Sequence, residues 1–342
     1  MLWVPTSRDP STPRVDLLGL ALSTAVIGTL VFTIIEAPEV GWLTARTLAS
    51  FAVVAGLLAG FVRWERRVAE PMLDVDLFRN LRFTAASGSV TIAFFALFGF
   101  IFMVTQYFQF LKGYSPFSTG LRLLPVALTV GAASILGTKF AVRLGNKAVV
   151  AAGLASMGVA FLWISTASTA TPYLELAGQM IVLGIGMGFT SAPATEAIMG
   201  VVPKEKAGIG SAVNDATREL GGTLGVAVIG SVFASLYTAR LALPGGLPSE
   251  AADAARESVG GAFIAAQRVA DAGFVPAATQ LRDAASLAFF DGFAVGCLVA
   301  AGVALAGAIV AAVLLPAHPL LDAAESFEPD ADLALAPSAP LV

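Results

Sequence analysis

Four side chains able to carry charge or strong hydrogen bonds lie close together within an otherwise apolar stretch, at Asn214, Asp215, Arg218 and Glu219. At roughly 100° per residue of an α-helix, Asn214 and Arg218 share one stripe, and the two carboxylates lie beside it. Charged residues inside membrane-spanning helices are rare and are usually functional. The pattern therefore predicts either a buried ionic cluster that changes partners or takes up a proton, or charges that reach outward from a helix end.

A further carboxylate, Glu196, lies in the preceding apolar segment, at a similar distance from the turn that connects the two segments. If the two segments form a helical hairpin, Glu196 comes opposite Asn214 or Arg218. A carboxylate close to the membrane interface is the alternative interpretation.

The third apolar segment is rich in phenylalanine and ends in TQYFQFLKGYSPF. Gln106 and Gln109 are three residues apart and share a helix face, and Tyr107 is next to it. These side chains predict a wall that offers rings and amides to a lipophilic ligand. The alternative for the aromatic residues is a lipid-facing surface with an aromatic belt at the membrane interface.

The composition describes an all-α polytopic membrane protein, because 57% of the residues are hydrophobic and only 13% are charged. The single cysteine, Cys297, can form no internal disulfide, and the single histidine, His318, leaves no histidine-based metal site or catalytic triad. We therefore expect no metal, no cofactor and no enzyme activity. The net charge of -4 is slight and arises mainly in the C-terminal tail, so nucleic acid is not an expected partner.

Eight stretches are apolar enough, and long enough or nearly so, to cross a lipid bilayer, which takes about 20 residues as a helix. They are residues 15–35, 47–62, 83–111, 123–138, 148–166, 173–202, 208–237 and 292–315. Gly221 and Gly225 in the seventh span predict close approach to a neighbouring helix. The run 249–285, rich in alanine with spaced charges, predicts one or two amphipathic helices outside the membrane.

Basic residues indicate the orientation, because short cytoplasmic loops retain lysine and arginine. Among the short connections between spans, ten basic residues lie on one side of the membrane, against Arg46, Lys112 and Arg122 on the other. The ten are Arg63, Arg66, Arg67, Arg79, Arg82, Lys139, Arg143, Lys147, Lys204 and Lys206. Both termini are therefore predicted to be cytoplasmic, in a protein of the plasma membrane.

The spans and loops divide the chain into five parts. These are a cytoplasmic segment at 1–14, two spans at 15–62, a basic cytoplasmic connector at 63–82, a six-helix unit at 83–316 with its outer loop at 238–287, and an acidic tail at 317–342 whose composition predicts disorder.

Several motifs occur in the order typical of one known family. They are GW at 41–42, PMLDVDLF at 71–78, QYFQFLKGYSPFSTGLRLLP at 106–125, the GMG run with its following proline at 186–193, and GIGSAVNDATRELGGTLGVAV at 208–228. The chain resembles the 14-helix drug:proton antiporters of the major facilitator superfamily over nearly all of its length. The last of these motifs is the most specific.

The resemblance implies that the first two spans are the central linker helices of that family and that the other six are its C-terminal half. The family's N-terminal six helices, which hold the conserved inner-loop motif, have no counterpart in these 342 residues. The loop TKFAVRLGNK retains Arg143, Gly145 and Lys147 of that motif but lacks its acidic residue. We therefore expect half a transporter that does not transport alone.

The resemblance also implies proton-coupled export of lipophilic or cationic small molecules, with a separate N-terminal half or a second copy of the chain as partner in the bilayer. The residues expected to act in proton or conformational coupling are Asp215, Arg218, Glu219, Glu196 and Asn214. Those expected on the substrate side are Gln106, Tyr107 and Gln109. The competing hypothesis is a non-transporting membrane module, either a truncated product or an interaction partner of a longer relative.

Overall fold

The computed structural model describes residues 16–69, 71, 73, 75–202 and 207–316. The predictions for 1–14, for Lys204 and Lys206, and for the tail at 317–342 lie outside these residues. Within them every regular element is helical, which confirms the all-α prediction. The α-helices are α1 Leu17–Val40, α2 Ala45–Glu65, α3 Leu81–Gln106, α4 Pro116–Arg122, α5 Leu124–Leu144, α6 Asn146–Ile164, α7 Tyr173–Met199, α8 Ala207–Arg240, α9 Ser249–Glu257, α10 Val259–Asp271 and α11 Val275–Leu314.

The predicted number of spans is confirmed. Among the described residues, eight segments are long and apolar enough to cross a membrane, namely Leu17–Val40, Ala45–Glu65, Leu81–Leu111, Pro116–Leu144, Asn146–Ile164, Tyr173–Met199, Ala207–Arg240 and Val275–Leu314. The predicted start of the last span at residue 292 is wrong, because α11 already begins at Val275. Hydropathy reports contact with lipid, whereas the alanine-rich residues 275–291 continue the helix through their high helix propensity.

Six of the spans pack into one bundle, and the first two attach to its side. The bundle consists of α3, α5, α6, α7, α8 and α11, while α1 packs on α8 and α2 packs on α1. Pro38 lies inside α1, where its ring leaves the carbonyl of Ile34 without a helical donor. The hydroxyl of Ser231 in α8 donates to that carbonyl at 2.6 Å. The proline thus frees an acceptor that joins α1 to the bundle.

The predicted amphipathic run forms two short helices, α9 and α10, followed by the start of α11. Ser258 separates the two and begins α10, since its hydroxyl accepts the N–H of Gly261 at 3.0 Å. The end of α8 is fixed to α9 by the Tyr237 hydroxyl, which donates to the Ala255 carbonyl at 3.0 Å. Helix α9 is therefore attached to the end of α8, while α10 packs on α9 and α11.

Aromatic rings fill the bundle where α3, α8 and α11 meet. Tyr107 is fully buried and stacks on Phe289 with 6.3 Å between the ring centres. Its hydroxyl donates to the Ser168 carbonyl, in the loop between α6 and α7, at 2.8 Å. Phe233 of α8 meets Phe289 edge to face at 5.2 Å. These contacts fix the end of α3 against α11 and the loop between α6 and α7, and they join α8 to α11.

The backbones of α3 and α8 approach closely at two glycines one turn apart, as predicted. A Cβ atom added to Gly221 would lie 3.0 Å from the Cα atom of Thr91, and one added to Gly225 would lie 2.8 Å from the Cα atom of Phe95. Both distances are shorter than a carbon–carbon contact allows. Only glycine permits α8 to lie at this depth against α3.

We expect Gly225→Ala to destabilise the protein, although alanine favours an isolated helix by about 1 kcal/mol over glycine. The added methyl group must push α8 away from Phe95, at a cost of about 1–3 kcal/mol. The matched control is Gly302→Ala in α11, because nothing lies within 4 Å of a Cβ atom at that position. Thermal unfolding of the purified protein should show a lower Tm for Gly225→Ala only. Equal Tm values for the two variants would contradict the close packing.

Candidate functional site

The polar residues of α8 are divided between two faces of the helix. Asn214 and Thr217 are buried on the face that also holds Gly221. Asp215 and Glu219 are exposed on the other face. Because the close contact with α3 fixes the rotation of α8, it also determines which polar residues point inward.

Arg218 joins three helices. Its Nη2 atom donates to the Thr195 hydroxyl of α7 at 3.1 Å, and that hydroxyl donates to Oδ1 of Asn214 at 3.1 Å. The guanidinium carbon lies 5.4 Å from the ring centre of Phe94 in α3, which places the charge within range of a cation–π interaction. The result is a relay from Arg218 through Thr195 to Asn214, supported by an aromatic ring.

The prediction of a buried ionic cluster is wrong for the two carboxylates. Among the described residues, neither Asp215 nor Glu219 forms an ion pair or hydrogen bond with Arg218. The physical reason is the rotation of α8, which turns the guanidinium towards α7 and α3 while both carboxylates face outward. Arg218 remains partly exposed, so the charge is held at the edge of the bundle and not in its centre.

The expectation that Glu196 faces Asn214 or Arg218 is also wrong, because Thr195 occupies that place. Consecutive residues of an α-helix point roughly 100° apart. Because Thr195 faces α8, Glu196 points away from it and is exposed. Sequence reasoning missed Thr195 and the role of Phe94. The charge of Glu196 marks the correct turn of α7, but no sequence rule selects a hydroxyl over the carboxylate beside it.

The length of α8 indicates how deep the carboxylates lie. Its 34 residues span about 50 Å at about 1.5 Å per residue, while the hydrocarbon core is about 30 Å thick. The excess is at the Arg240 end, where Tyr237 binds α9 and Arg240 forms an exposed ion pair with Asp291 at 4.0 Å. Asp215 and Glu219 lie about 12 and 18 Å along the axis from the opposite end of α8, at Ala207. The coupling interpretation and the helix-end interpretation of these carboxylates both stay predictions.

Tyr107 is not on a cavity wall, contrary to the predicted substrate side, because it is fully buried in the aromatic cluster described above. Gln106 and Gln109 are partly exposed. The side-chain amide of Gln106 donates to the Phe102 carbonyl of its own helix at 3.4 Å. Tyr107 therefore has a structural role, and the roles of the two glutamines on the substrate side stay predictions.

A cavity of about 900 Å³ opens between α1, α3, α8 and α9. Its wall combines Phe102 and Val226 with the carboxylates of Glu39, Asp253 and Glu257 and with Arg256, which pairs with Asp253 at 3.2 Å. Neither Gln106 nor Gln109 lines it. Apolar walls with excess negative charge suit a lipophilic cation by their chemistry.

The three predicted inner-loop residues lie at the junction of α5 and α6, with Arg143 in the last turn of α5, Gly145 between the helices and Lys147 in the first turn of α6. Gly145 has a positive φ of 84° and ends α5, with its N–H donating to the Ala141 carbonyl at 2.9 Å. Arg143 is exposed and Lys147 is half-buried. Neither forms an ion pair with another described residue.

The Major Facilitator Superfamily profile matches residues 14–226. The chain belongs to this superfamily. Together with the eight apolar helices, the match shows a multi-pass membrane protein. The relatives reported next have names that describe efflux, resistance or export, and none of these names denotes an enzyme.

Three relatives illustrate the similarity. The multidrug efflux pump LfrA of Mycolicibacterium smegmatis is 35% identical over 312 residues, which cover 91% of this chain and 60% of that protein. The multidrug resistance protein Stp of Mycobacterium tuberculosis is 34% identical over 241 residues, or 70% of this chain and 45% of that protein. The tetracenomycin C resistance and export protein of Streptomyces glaucescens is 29% identical over 322 residues, which cover 91% of this chain and 59% of that protein. The chain spans about half the length of these relatives.

We expect the two faces of α8 to react differently with a charged, water-soluble thiol reagent. Cysteine at Asp215 or Glu219 should be labelled, because both side chains are exposed on the outer face of α8. Cysteine at Val213, which is 4% exposed, should be protected. The native Cys297 is fully buried and gives no background. Labelling measured by mass spectrometry that was equal at Val213 and Asp215 would contradict the rotation of α8.

Proposed function

We propose that the chain forms the C-terminal half of a 14-helix, proton-coupled exporter of lipophilic or cationic small molecules, with α1 and α2 as its linker helices. The names of the relatives support export as the activity. The orientation of the basic loops supports a plasma-membrane protein with both termini cytoplasmic. The partner is a second helical unit, either a separate N-terminal half or another copy of the chain.

The observation that carries this proposal is the separation of charges around Arg218. The guanidinium is held at the edge of the bundle by Thr195 and Phe94, while Asp215, Glu219 and Glu196 are exposed at the same end of the bundle. No described residue pairs with these three carboxylates. Unpaired carboxylates near hydrocarbon are unfavourable, so this acidic face needs water or the basic surface of a partner beside it.

An acidic face with no internal partner can serve as one side of a gate. When the end of the transporter closes, basic residues of the partner pair with the carboxylates, and when it opens the pairs separate. Protonation removes the charge that holds the closed form. A ligand or proton shifts such an equilibrium only through its different affinity for the two forms. Proton binding to the carboxylates thus supplies the coupling.

The relay from Arg218 to Asn214 has a positioning role in this mechanism. It fixes α8 against α7, so that Asp215 and Glu219 keep their direction while the partner moves. Alternating access in major facilitators moves two helical units about a site between them. One unit provides only one wall of that site, and the chain alone is therefore proposed not to transport.

We expect proton-driven ethidium uptake into everted membrane vesicles that contain this chain together with the N-terminal six helices of the Mycolicibacterium smegmatis relative. Vesicles with this chain alone should show none. Asp215→Asn should lower the rate of uptake by roughly tenfold, because the variant lacks the carboxylate that binds the coupled proton. A tenfold lower rate corresponds to a transport barrier higher by about 1.4 kcal/mol. The matched control is Asp283→Asn, an exposed carboxylate in α11.

Uptake by the chain alone would contradict the requirement for a partner. An equal loss of rate in Asp215→Asn and Asp283→Asn would contradict the coupling role of α8. Absence of uptake in both vesicle preparations, with both polypeptides present in the membrane, would favour the non-transporting module.

A further inference from the structure

A second charged feature lies on α2, far from the relay on α8. Helix α2 packs on α1 through a stripe of buried residues, Thr47, Val54, Phe61 and Glu65. Within the described part of the chain, α1 is its main neighbour. The opposite side of α2 is therefore free of helix contacts.

That free side combines an apolar strip with a basic end. Ala55, Leu58, Ala59 and Val62 follow one another at intervals of three and four residues, which places them on one face. Arg63, Arg66 and Arg67 continue the same face at the end of the helix. Arg66 follows the last helical residue but keeps the helical geometry, since its N–H donates to the Val62 carbonyl at 3.2 Å. Together these residues line a shallow, open groove along α2, to which no other described helix contributes a residue.

The three arginines are exposed and form no ion pair with a described residue. The carboxylate next to them in sequence, Glu65, points to the other side of α2. There its Oε2 atom accepts the N–H of Leu73 at 3.0 Å. Three guanidinium groups within about one helical turn repel one another unless an anion lies between them. The groove therefore has a positive end that nothing in the described chain neutralises.

We propose that this groove binds an anionic glycerophospholipid, with its phosphate among the three arginines and an acyl chain along Ala55, Leu58 and Ala59. The distance from Ala55 to Arg67 is about 18 Å along the helix, close to the about 15 Å thickness of one leaflet's hydrocarbon. A free phosphate ion would use only the basic end, whereas a lipid uses both parts of the groove. Basic clusters at the end of a membrane helix are a recognised chemistry for anionic head groups.

The test is native mass spectrometry of the detergent-solubilised chain, titrated with dioleoyl phosphatidylglycerol or dioleoyl phosphatidylcholine. The two lipids have the same acyl chains, so the ratio of bound lipids reports the head group alone. We expect the anionic lipid to bind about fivefold or more better, which corresponds to at least one engaged arginine. The triple variant Arg63→Gln, Arg66→Gln, Arg67→Gln should bind both lipids equally.

The charge-matched control replaces Arg240, Arg256 and Arg268 by glutamine, because each of these pairs with a carboxylate in α9, α11 or the same short helix. This control should keep the preference for phosphatidylglycerol. If the control also lost its preference for phosphatidylglycerol, the net charge of the chain alone would determine lipid binding. That result would overturn the proposal.

A third variant, Ala59→Phe, fills the apolar strip while it leaves the arginines intact. We expect it to weaken phosphatidylglycerol binding, because the acyl chain loses its place. Unchanged binding in this variant, or complete displacement of the lipid by inorganic phosphate, would assign the site to a phosphate group alone. An equal affinity of the unaltered chain for both lipids would also overturn the proposal.

Discussion

The close contact between α3 and α8 is the constraint on which the arrangement of charges depends. At Gly221 and Gly225 the two helix backbones leave no room for a Cβ atom. A helix held so tightly can neither rotate nor move along its axis without overlap of atoms. The rotation that results points Arg218 towards α7 and Phe94, and points Asp215 and Glu219 outward. Backbone packing thus determines the electrostatics.

The remaining contacts of the bundle protect this geometry. The aromatic cluster around Tyr107 and Phe289 fixes the end of α3 to α11, and the Ser231 hydroxyl attaches α1 to α8. Both contacts lie towards the Arg240 half of α8, away from the charged residues. One end of the bundle is therefore held by many side-chain contacts, while Asp215 and Glu219 are exposed at the other end. In the exporter proposed above, the end with the exposed carboxylates is the one that opens and closes.

Much of the fold follows from the sequence, because hydropathy over about 20 residues identifies a membrane span directly. The eight spans were predictable for this reason, but the start of α11 was not. Residues 275–291 are helical through alanine content and contact with α10, neither of which hydropathy measures. The same distinction applies to the site. Helical periodicity gives the angle between Asn214 and Asp215, but only the contact at Gly221 determines which of the two faces inward. Periodicity likewise cannot show that Thr195, and not Glu196, meets α8.

The most direct test of this account is the pairing of α7 with α8 in the membrane. Cysteines placed at Thr195 and Asn214, whose side chains are 3.1 Å apart, should be joined by a short bifunctional thiol reagent. Cysteines at Glu196 and Asn214 should not, although Glu196 is only one residue away. Cross-linking of the first pair alone, measured by mass spectrometry of proteolytic fragments, is the result that this account predicts. Efficient cross-linking of the second pair with none of the first would contradict the rotation of α8 from which the position of every charge follows.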